Sequence, residues 1–404
     1  MKSVELFAGA GGLALGCELA GFESALALEW DRWACDTIRA NQANGYPLVA
    51  NWRIHEGDVR QFDWTTLPSD IDLVTGGPPC QPFSMGGKHR AADDSRDMFP
   101  AATEAIAALS PKAFILENVK GLTRAAFSNY FQYILLRLEM PELISHRGET
   151  WFDHFMRLQS EHTSSHLVGL RYNITATVVN AADYGVPQSR HRVFIVGFRD
   201  DLDAEWSFPE ATHSRAALVR DQSEGGTYWQ RHGMKQPSYA TSAVGHRGGN
   251  APSPDGLSPW RTVRDAISDL PRPKPQGLAE VSGHILQTGA RSYPGHTGSP
   301  VDLPAKTLKA GDHGVPGGEN MLRNANGSVR YFTVRESARL QTFPDAYAFH
   351  GSWTEAMRQL GNAVPVLLAQ RVAGSVKAAV ELAQARSTAR PVLAPSQSRR
   401  QTRA

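Results

Sequence analysis

From Val4 to Phe198 short apolar runs alternate with stretches of helical spacing. The runs Val4 to Ala8, Ala25 to Leu28, Ile71 to Val74, Ala113 to Leu116, Thr175 to Val179 and Val193 to Val196 predict strands. Strands separated by helical segments are the pattern of a doubly wound, mostly parallel α/β sheet. The texture changes between Trp206 and Arg330. Seventeen of the 36 glycines and 12 of the 25 prolines fall there, with few periodic runs, which predicts an irregular inserted domain. Order returns at Tyr331. Thr333 and Glu336 have capping-box spacing, and Pro344 closes the segment that they start. A final amphipathic helix is expected from about Pro365 to Ala385, since proline is favoured in a helix's first turn. The expected organisation is therefore residues 1–205 and 331–385 as one sheet domain, 206–330 as the insert, and 386–404 as a disordered basic tail.

Composition sharpens this picture in three ways. A chain of 404 residues fits a large α/β domain with a second, smaller one. Cys17, Cys35 and Cys80 are the whole thiol inventory, too few for a disulfide framework or a paired-cysteine metal site, so a reducing cytosol and no metal are expected. No apolar run approaches the ~18 residues of a membrane span, and the N-terminus lacks a signal-peptide pattern. The net charge of +2 does not by itself indicate nucleic acid. The insert is locally more basic: its 14 Lys plus Arg exceed its 10 Asp plus Glu by four.

Candidate chemistry collects at the ends of the predicted strands. Gly76-Gly77-Pro78-Pro79-Cys80-Gln81-Pro82-Phe83-Ser84 follows the run Ile71 to Val74. Two prolines cannot continue a central strand, so they turn the chain out beyond the sheet, where open parallel sheets bind ligands. This context marks Cys80 as a nucleophile rather than a small buried hydrophobe. Phe7-Ala8-Gly9-Ala10-Gly11-Gly12 is a glycine-rich turn ahead of a helical stretch, compatible with a ligand approaching the backbone or with a mere tight turn. Glu29, 20 positions after Gly9, stands where nucleotide-binding sheets place a carboxylate on ribose, and Asp58 could accept from an adenine amino group. Each acid alone is more often a cap or a solvated surface charge; with the glycine turn the two suggest an adenosine ligand. Glu117 ends a further strand, and Arg190 and Arg192 place two guanidinium groups on one side of an extended segment.

These blocks resemble the motifs of the DNA (cytosine-5)-methyltransferase family, bacterial type, and stand in its order. The match includes Phe7 to Gly12, Glu29-Trp30-Asp31, Gly57-Asp58-Val59, Gly77 to Ser84, Glu117-Asn118-Val119 and Gln188-x-Arg190-x-Arg192. Arg335-Glu336-x-x-Arg339-Leu340-Gln341 and Gly361-Asn362-Ala363-Val364-Pro365 complete it. The resemblance implies a Rossmann-like S-adenosylmethionine-dependent methyltransferase fold with an inserted target-recognition domain. It implies that Cys80 adds to carbon 6 of a flipped cytosine, Glu117 serves ring nitrogen 3 and Arg192 the carbon 2 carbonyl, with Arg190 on the same catalytic side. S-adenosyl-L-methionine would be held by Phe7, Gly9, Gly11, Glu29, Trp30, Asp58, Val59, Pro79, Met98 and Asn362. Gln81, Ser84 and Thr307 would contact DNA. The implied partners are double-stranded DNA and, functionally, a restriction endonuclease, with the enzyme a cytoplasmic, nucleoid-associated monomer.

Three rival readings are weaker. A nicotinamide oxidoreductase gives Pro-Pro-Cys-Gln and the paired arginines nothing to do. The transfer-RNA branch of the family usually carries an additional Cys-Phe-Thr signature, which this chain lacks. A non-catalytic nucleic-acid module has no need of Cys80, Glu117 and the cofactor motifs together.

Overall fold

The computed structural model of the protein describes residues 1–79, 97–164, 169–223, 225–237, 256–310 and 320–389. Its centre is a sheet of β1 (Lys2–Leu6), β2 (Glu23–Glu29), β3 (Ile54–Glu56), β4 (Ile71–Gly76), β5 (Ala113–Val119), β6 (Tyr172–Asn180) and β8 (His191–Arg199), with the two-residue β7 (Gln188–Ser189) outside it. The order across the sheet is β3-β2-β1-β4-β5-β8-β6. Of these seven, β8 alone runs against the others. The mostly parallel, doubly wound sheet expected from the apolar runs is therefore present. β3 is absent from that expectation because its three residues are all at least partly exposed and make no apolar run.

The helices are α1 (Gly12–Leu19), α2 (Arg32–Ala43), α3 (Phe99–Leu109), α4 (Ser128–Glu139), α5 (Trp151–Thr163), α6 (Arg215–Gln222), α7 (Tyr228–Arg231), α8 (Val263–Ile267), α9 (Val334–Leu340), α10 (Trp353–Asn362) and α11 (Val366–Ala389). One sheet face, with Val4, Leu6, Val74, Phe114 and Leu116, packs against Ala102, Ala105 and Ile106 of α3 and Tyr133, Ile134 and Leu138 of α4. The other face, with Leu73, Ile115, Phe194 and Val196, packs against Leu13 and Cys17 of α1 and Leu368, Val372 and Val376 of α11. Side chains alternate across a strand, so a run such as Ile71 to Val74 must be apolar throughout when both faces are covered.

α1 and α11 approach unusually closely. A Cβ at Gly16 would lie 2.3 Å from the Ala369 Cβ, and one at Gly12 would lie 2.5 Å from the Val364 oxygen. Glycine at both positions is what lets these two helices touch. By length and composition alone the stretch Trp353–Thr388 could cross a membrane. Its residues Leu368, Val372 and Val376 are, however, buried against the sheet.

Thr333 and Glu336 form the expected capping box at α9: the Thr333 hydroxyl accepts from the Glu336 N–H at 3.1 Å, and the Glu336 carboxylate accepts from the Thr333 N–H at 2.9 Å. Two boundaries differ from expectation. α11 continues to Ala389, four residues into the segment expected to be disordered, because no residue before Pro391 interrupts helical geometry. Trp206 and Phe208, expected to open the insert, pack instead on the sheet domain: the Trp206 indole donates to Ser375 Oγ at 3.1 Å, and Phe208 lies against Tyr184 and Phe194.

The insert's own structure starts near His213. It contains short pairings such as Ser299–Pro300 with Met321–Arg323, and two small apolar clusters. Its strand Ala305–Lys306 pairs with β7, which ties it to the sheet domain directly ahead of Arg190.

Candidate active site

The carboxyl ends of β1, β2, β4 and β5 meet on one edge of the sheet. The strand order turns at β1, whose neighbours are β2 and β4. A crevice at such a switch point is the usual ligand position in an open α/β sheet. Here it is a cavity of about 530 Å³. Phe7, Gly9, Glu29, Trp30, Asp58, Val59, Pro79, Met98, Glu117, Arg190, Arg192 and Asn362, all named from the sequence, line it.

The turn after β1 has left-handed backbone at Phe7 (φ 55°) and at Gly9 (φ 53°). A Cβ at Gly9 would meet nothing within 4 Å, so the backbone there opens onto free space. Glu29 at the end of β2 braces this turn: it accepts from the Gly9 N–H at 2.7 Å and from the Trp30 and Asp31 N–H groups at 2.9 and 2.8 Å. Burial pushes its carboxyl pKa up, and these backbone donors oppose the rise. An ionised carboxylate offers about four lone-pair positions, so one remains for a ligand. The Trp30 ring lies 65% exposed at the cavity wall. Asp58 caps the turn Val59–Gln61 and pairs with Arg60 at 2.5 Å, which holds its carboxyl below the usual range.

Gly11 differs from its expected role. It is not among the lining residues but caps α1 with φ 82°, and a Cβ there would stand 3.0 Å from the Trp52 ring. Its contribution is to the backbone and not to the lining.

The chemical half is assembled from β4, β5 and β8. The Asn118 amide donates to the Pro78 oxygen at 2.9 Å, so β5 holds the turn that leads into Cys80. Cys80, Gln81 and Ser84 lie outside the described residues. Glu117 stands beside that turn, since a Cβ at Gly77 would lie 3.5 Å from its Oε2. Arg192, paired in register with Val119, places Nε 2.8 Å from Glu117 Oε1. The contact is ionic rather than an aligned hydrogen bond, and Oε1 has no hydrogen-bond partner among the described residues. Burial lowers the Arg192 pKa, and the Glu117 charge opposes that shift.

Arg190 and Arg192 do not act as a pair on one face. Arg190 is 1% exposed and gives its guanidinium to two backbone carbonyls, Leu308 at 3.1 Å and Gly361 at 2.8 Å. Alternation along an extended chain places the two residues correctly but says nothing of these partners, 118 and 171 positions away. Thr307, expected at DNA, is not in the lining; its hydroxyl donates to the Ser189 carbonyl at 2.8 Å.

Sequence reasoning passed over Glu5, which lines the cavity from the middle of β1 and is 3% exposed. The Thr75 hydroxyl donates to its carboxylate. Burial pushes the Glu5 pKa up to about 8, against the opposing effect of that hydrogen bond. The available signal was an acid standing between the apolar Val4 and Leu6. Arg358 was also missed; it lines the cavity and donates to Asp31 at 2.8 Å. Among the described residues, no group of three or more His, Cys, Asp or Glu could hold a metal ion.

A profile of the C-5 cytosine-specific DNA methylase family matches residues 1–141 and 153–378. The Type II methyltransferase M.NgoPII of Neisseria gonorrhoeae is 30% identical over 387 residues, 94% of this chain and 96% of that protein. The Type II methyltransferase M.PspPI of a Psychrobacter strain is 33% identical over 386 residues, 92% of this chain and 78% of that protein. Among solved structures, the Dnmt2 methyltransferase of S. pombe superposes with a TM-score of 0.53 at 17% identity, covering 95% of this chain and 99% of that one. A likeness at that identity speaks for the fold, a Rossmann-like methyltransferase sheet.

Proposed function

Because the chain belongs to the C-5 cytosine-specific DNA methylase family, it is a DNA (cytosine-5)-methyltransferase of an S-adenosylmethionine-dependent kind, and we propose how its residues divide the work. The observation that carries the proposal is the single cavity in which the Gly9 turn, the Pro78-Pro79 turn and the Glu117–Arg192 pair meet.

The cofactor half of the cavity suits an adenosine with a charged amino-acid arm. Gly9 leaves open space, Trp30 offers an exposed ring, and Glu29 retains an acceptor position. Glu29 and Asp58 would take hydroxyl and amino donors, and Asn362 would close the far side. S-adenosylmethionine supplies the methyl group when bound.

Carbon 5 of cytosine is a weak nucleophile. Addition of the Cys80 thiolate to carbon 6 pushes ring electrons toward nitrogen 3 and the carbon 2 oxygen, which makes carbon 5 nucleophilic. Glu117 delivers a proton to nitrogen 3 as these electrons arrive and takes it back when the thiolate leaves, while Arg192 holds the oxygen. The Arg192 contact fixes the Glu117 carboxyl before the charge develops, when preorganised partners contribute most. Carbon 5 takes the methyl, a base removes its proton, and the electrons of that C–H bond restore the double bond as the thiolate leaves. Asn118 acts through the Pro78 carbonyl to aim the turn that carries Cys80.

These ring atoms lie within stacked DNA, so the target must be flipped out, at a cost of roughly a few kcal/mol. We assign to the insert the recognition of duplex DNA, and its relation to the Type II enzymes suggests pairing with a restriction endonuclease. Bisulfite sequencing of plasmid DNA from an expressing host is the test. Protected cytosines in one sequence context are the expected result. An unmethylated plasmid, with radiolabel from the methyl donor entering RNA instead, would overturn DNA as the substrate.

A further inference from the structure

We propose that Arg190 is a positioning residue through which DNA engagement and cofactor binding reinforce one another. The inference rests on the assignment of the cavity to the cofactor and of the insert to DNA.

Arg190 is a buried cation whose two terminal nitrogens donate to carbonyls of segments far apart in the chain. Leu308 lies in the insert, immediately after Thr307. Gly361 lies at the end of α10, immediately before Asn362, which lines the cavity. Burial pulls the Arg190 pKa down, as does the neighbouring Arg192 charge; the Glu117 charge opposes both, and the two carbonyls are the hydrogen-bond acceptors that hold the guanidinium in place.

A second set of bonds runs parallel to the first. The Gln188 side-chain oxygen accepts from the Leu308 N–H at 2.9 Å, and its amide donates to the Gln341 side-chain oxygen at 3.1 Å. Gln341 in turn donates to the carbonyls of Leu360 and Ala363. Gln188 and Gln341 are both fully buried. Residue 308 of the insert is therefore tied to residues 360, 361 and 363 of the cofactor wall by two routes, one cationic and one through amides.

Steric contact leaves no slack between these segments. A Cβ at Gly361 would fall 2.2 Å from the Ala310 nitrogen and 2.4 Å from the Lys309 carbonyl carbon. Residues 309 and 310, just after the insert strand, and the last turn of α10 thus touch backbone to backbone. A shift of residues 307–310 on DNA must move Gly361 and Asn362 or break the Arg190 bonds. An ordered wall at Asn362 likewise presets the insert strand for DNA. Coupling of this kind is reciprocal: each ligand tightens the other by the same factor.

The test is titration calorimetry of S-adenosylhomocysteine with and without saturating duplex that carries the context found by bisulfite sequencing. For the wild-type protein, the duplex should tighten the homocysteine compound by about tenfold, within the range of ordinary allosteric couplings. Arg190→Lys keeps the charge but loses the two-carbonyl fork, and should bring that ratio to within twofold of one. If this variant fails to fold, Asn320→Ala is the second probe, because Asn320 grips both the N–H and the carbonyl of Lys309 at 3.0 and 2.8 Å without touching the cavity. It should lower the ratio at least threefold. Tyr228→Phe, which removes a hydrogen bond elsewhere in the insert, should leave the ratio unchanged. A purely structural role would lower the melting temperature of all three variants and leave the ratio alone. A folded Arg190→Lys or Asn320→Ala protein with the wild-type ratio, or a wild-type protein with no enhancement, overturns the proposal. Failure of the wild-type protein to bind either ligand would instead overturn the functional reading on which it rests.

Discussion

The sheet domain and the insert are held together differently. In the sheet domain, apolar layers cover both faces of β4 and β5, and three clusters place most of the large buried side chains against strands or long helices. Between His213 and Tyr331 the apolar clusters are small, and acids act as struts. Asp302 accepts from the Tyr228 hydroxyl at 2.9 Å and from Arg264 at 2.6 and 3.1 Å. Asp265 caps α8 while meeting His232 at 2.9 Å. A segment organised by a few polar hubs can exchange its exposed loops without repacking a core. A domain organised by interdigitated layers cannot do so, because its packing is dense.

Cys80→Ser sharpens the contrast most. Turnover should fall below detection, because a hydroxyl is a far weaker nucleophile, while S-adenosylmethionine affinity stays within a few-fold and specific DNA binding survives. Methylation by the serine variant at a measurable rate in a radiolabel assay would remove Cys80 from the chemistry.

Glu5 tests the apolar side of the comparison, because it is a buried acid in the central strand of that domain. Its folded pKa of about 8 lies above the ordinary carboxyl value of 4.5, so the folded state holds a proton that the unfolded state has lost. That stabilisation is complete below about pH 4.5 and fades as pH rises through 8. Glu5→Gln lacks it. Relative to the variant, wild-type stability should fall by about 2–3 kcal/mol between pH 6 and pH 8.5, read by denaturant unfolding at each pH. Parallel stability profiles would show that Glu5 is not held neutral.

The smallest expected effect comes from the insert. Asp302→Ala unpairs Arg264 and leaves the Tyr228 hydroxyl with Thr262 alone, and should cost about 1–3 kcal/mol of local stability. It should weaken DNA binding and leave S-adenosylhomocysteine affinity within twofold. An equal loss at both sites in calorimetry would mean that the insert and the sheet domain share one cooperative unit.

What was legible in the sequence follows from the same contrast. Runs such as Ile71 to Val74 announce strands because burial on both faces forces a continuous apolar signal. The Thr333 and Glu336 cap is equally readable, since its partners are three residues apart. β3 left no signal, being short and partly exposed. The role of Arg190 was hidden for a different reason: its partners, Leu308 and Gly361, belong to segments that only tertiary folding brings together. Trp206 misled as a boundary marker because composition shifts before the chain leaves the sheet domain, on which Phe208 still packs.

The close approach of α1 and α11 has a consequence for the newborn chain. Gly12 and Gly16 are fitted to Val364 and Ala369, which emerge some 350 residues later. Until the ribosome has delivered the α10 and α11 segments, the face of the sheet that carries Leu73, Ile115 and Val196 lacks the α11 part of its cover, and the wall that contains Asn362 does not exist. Synthesis therefore delays assembly of the cavity until the α11 segment has emerged. A chain interrupted before that point has its cysteine and its glycine turn but no closed site, so methylation capacity arrives in one late step.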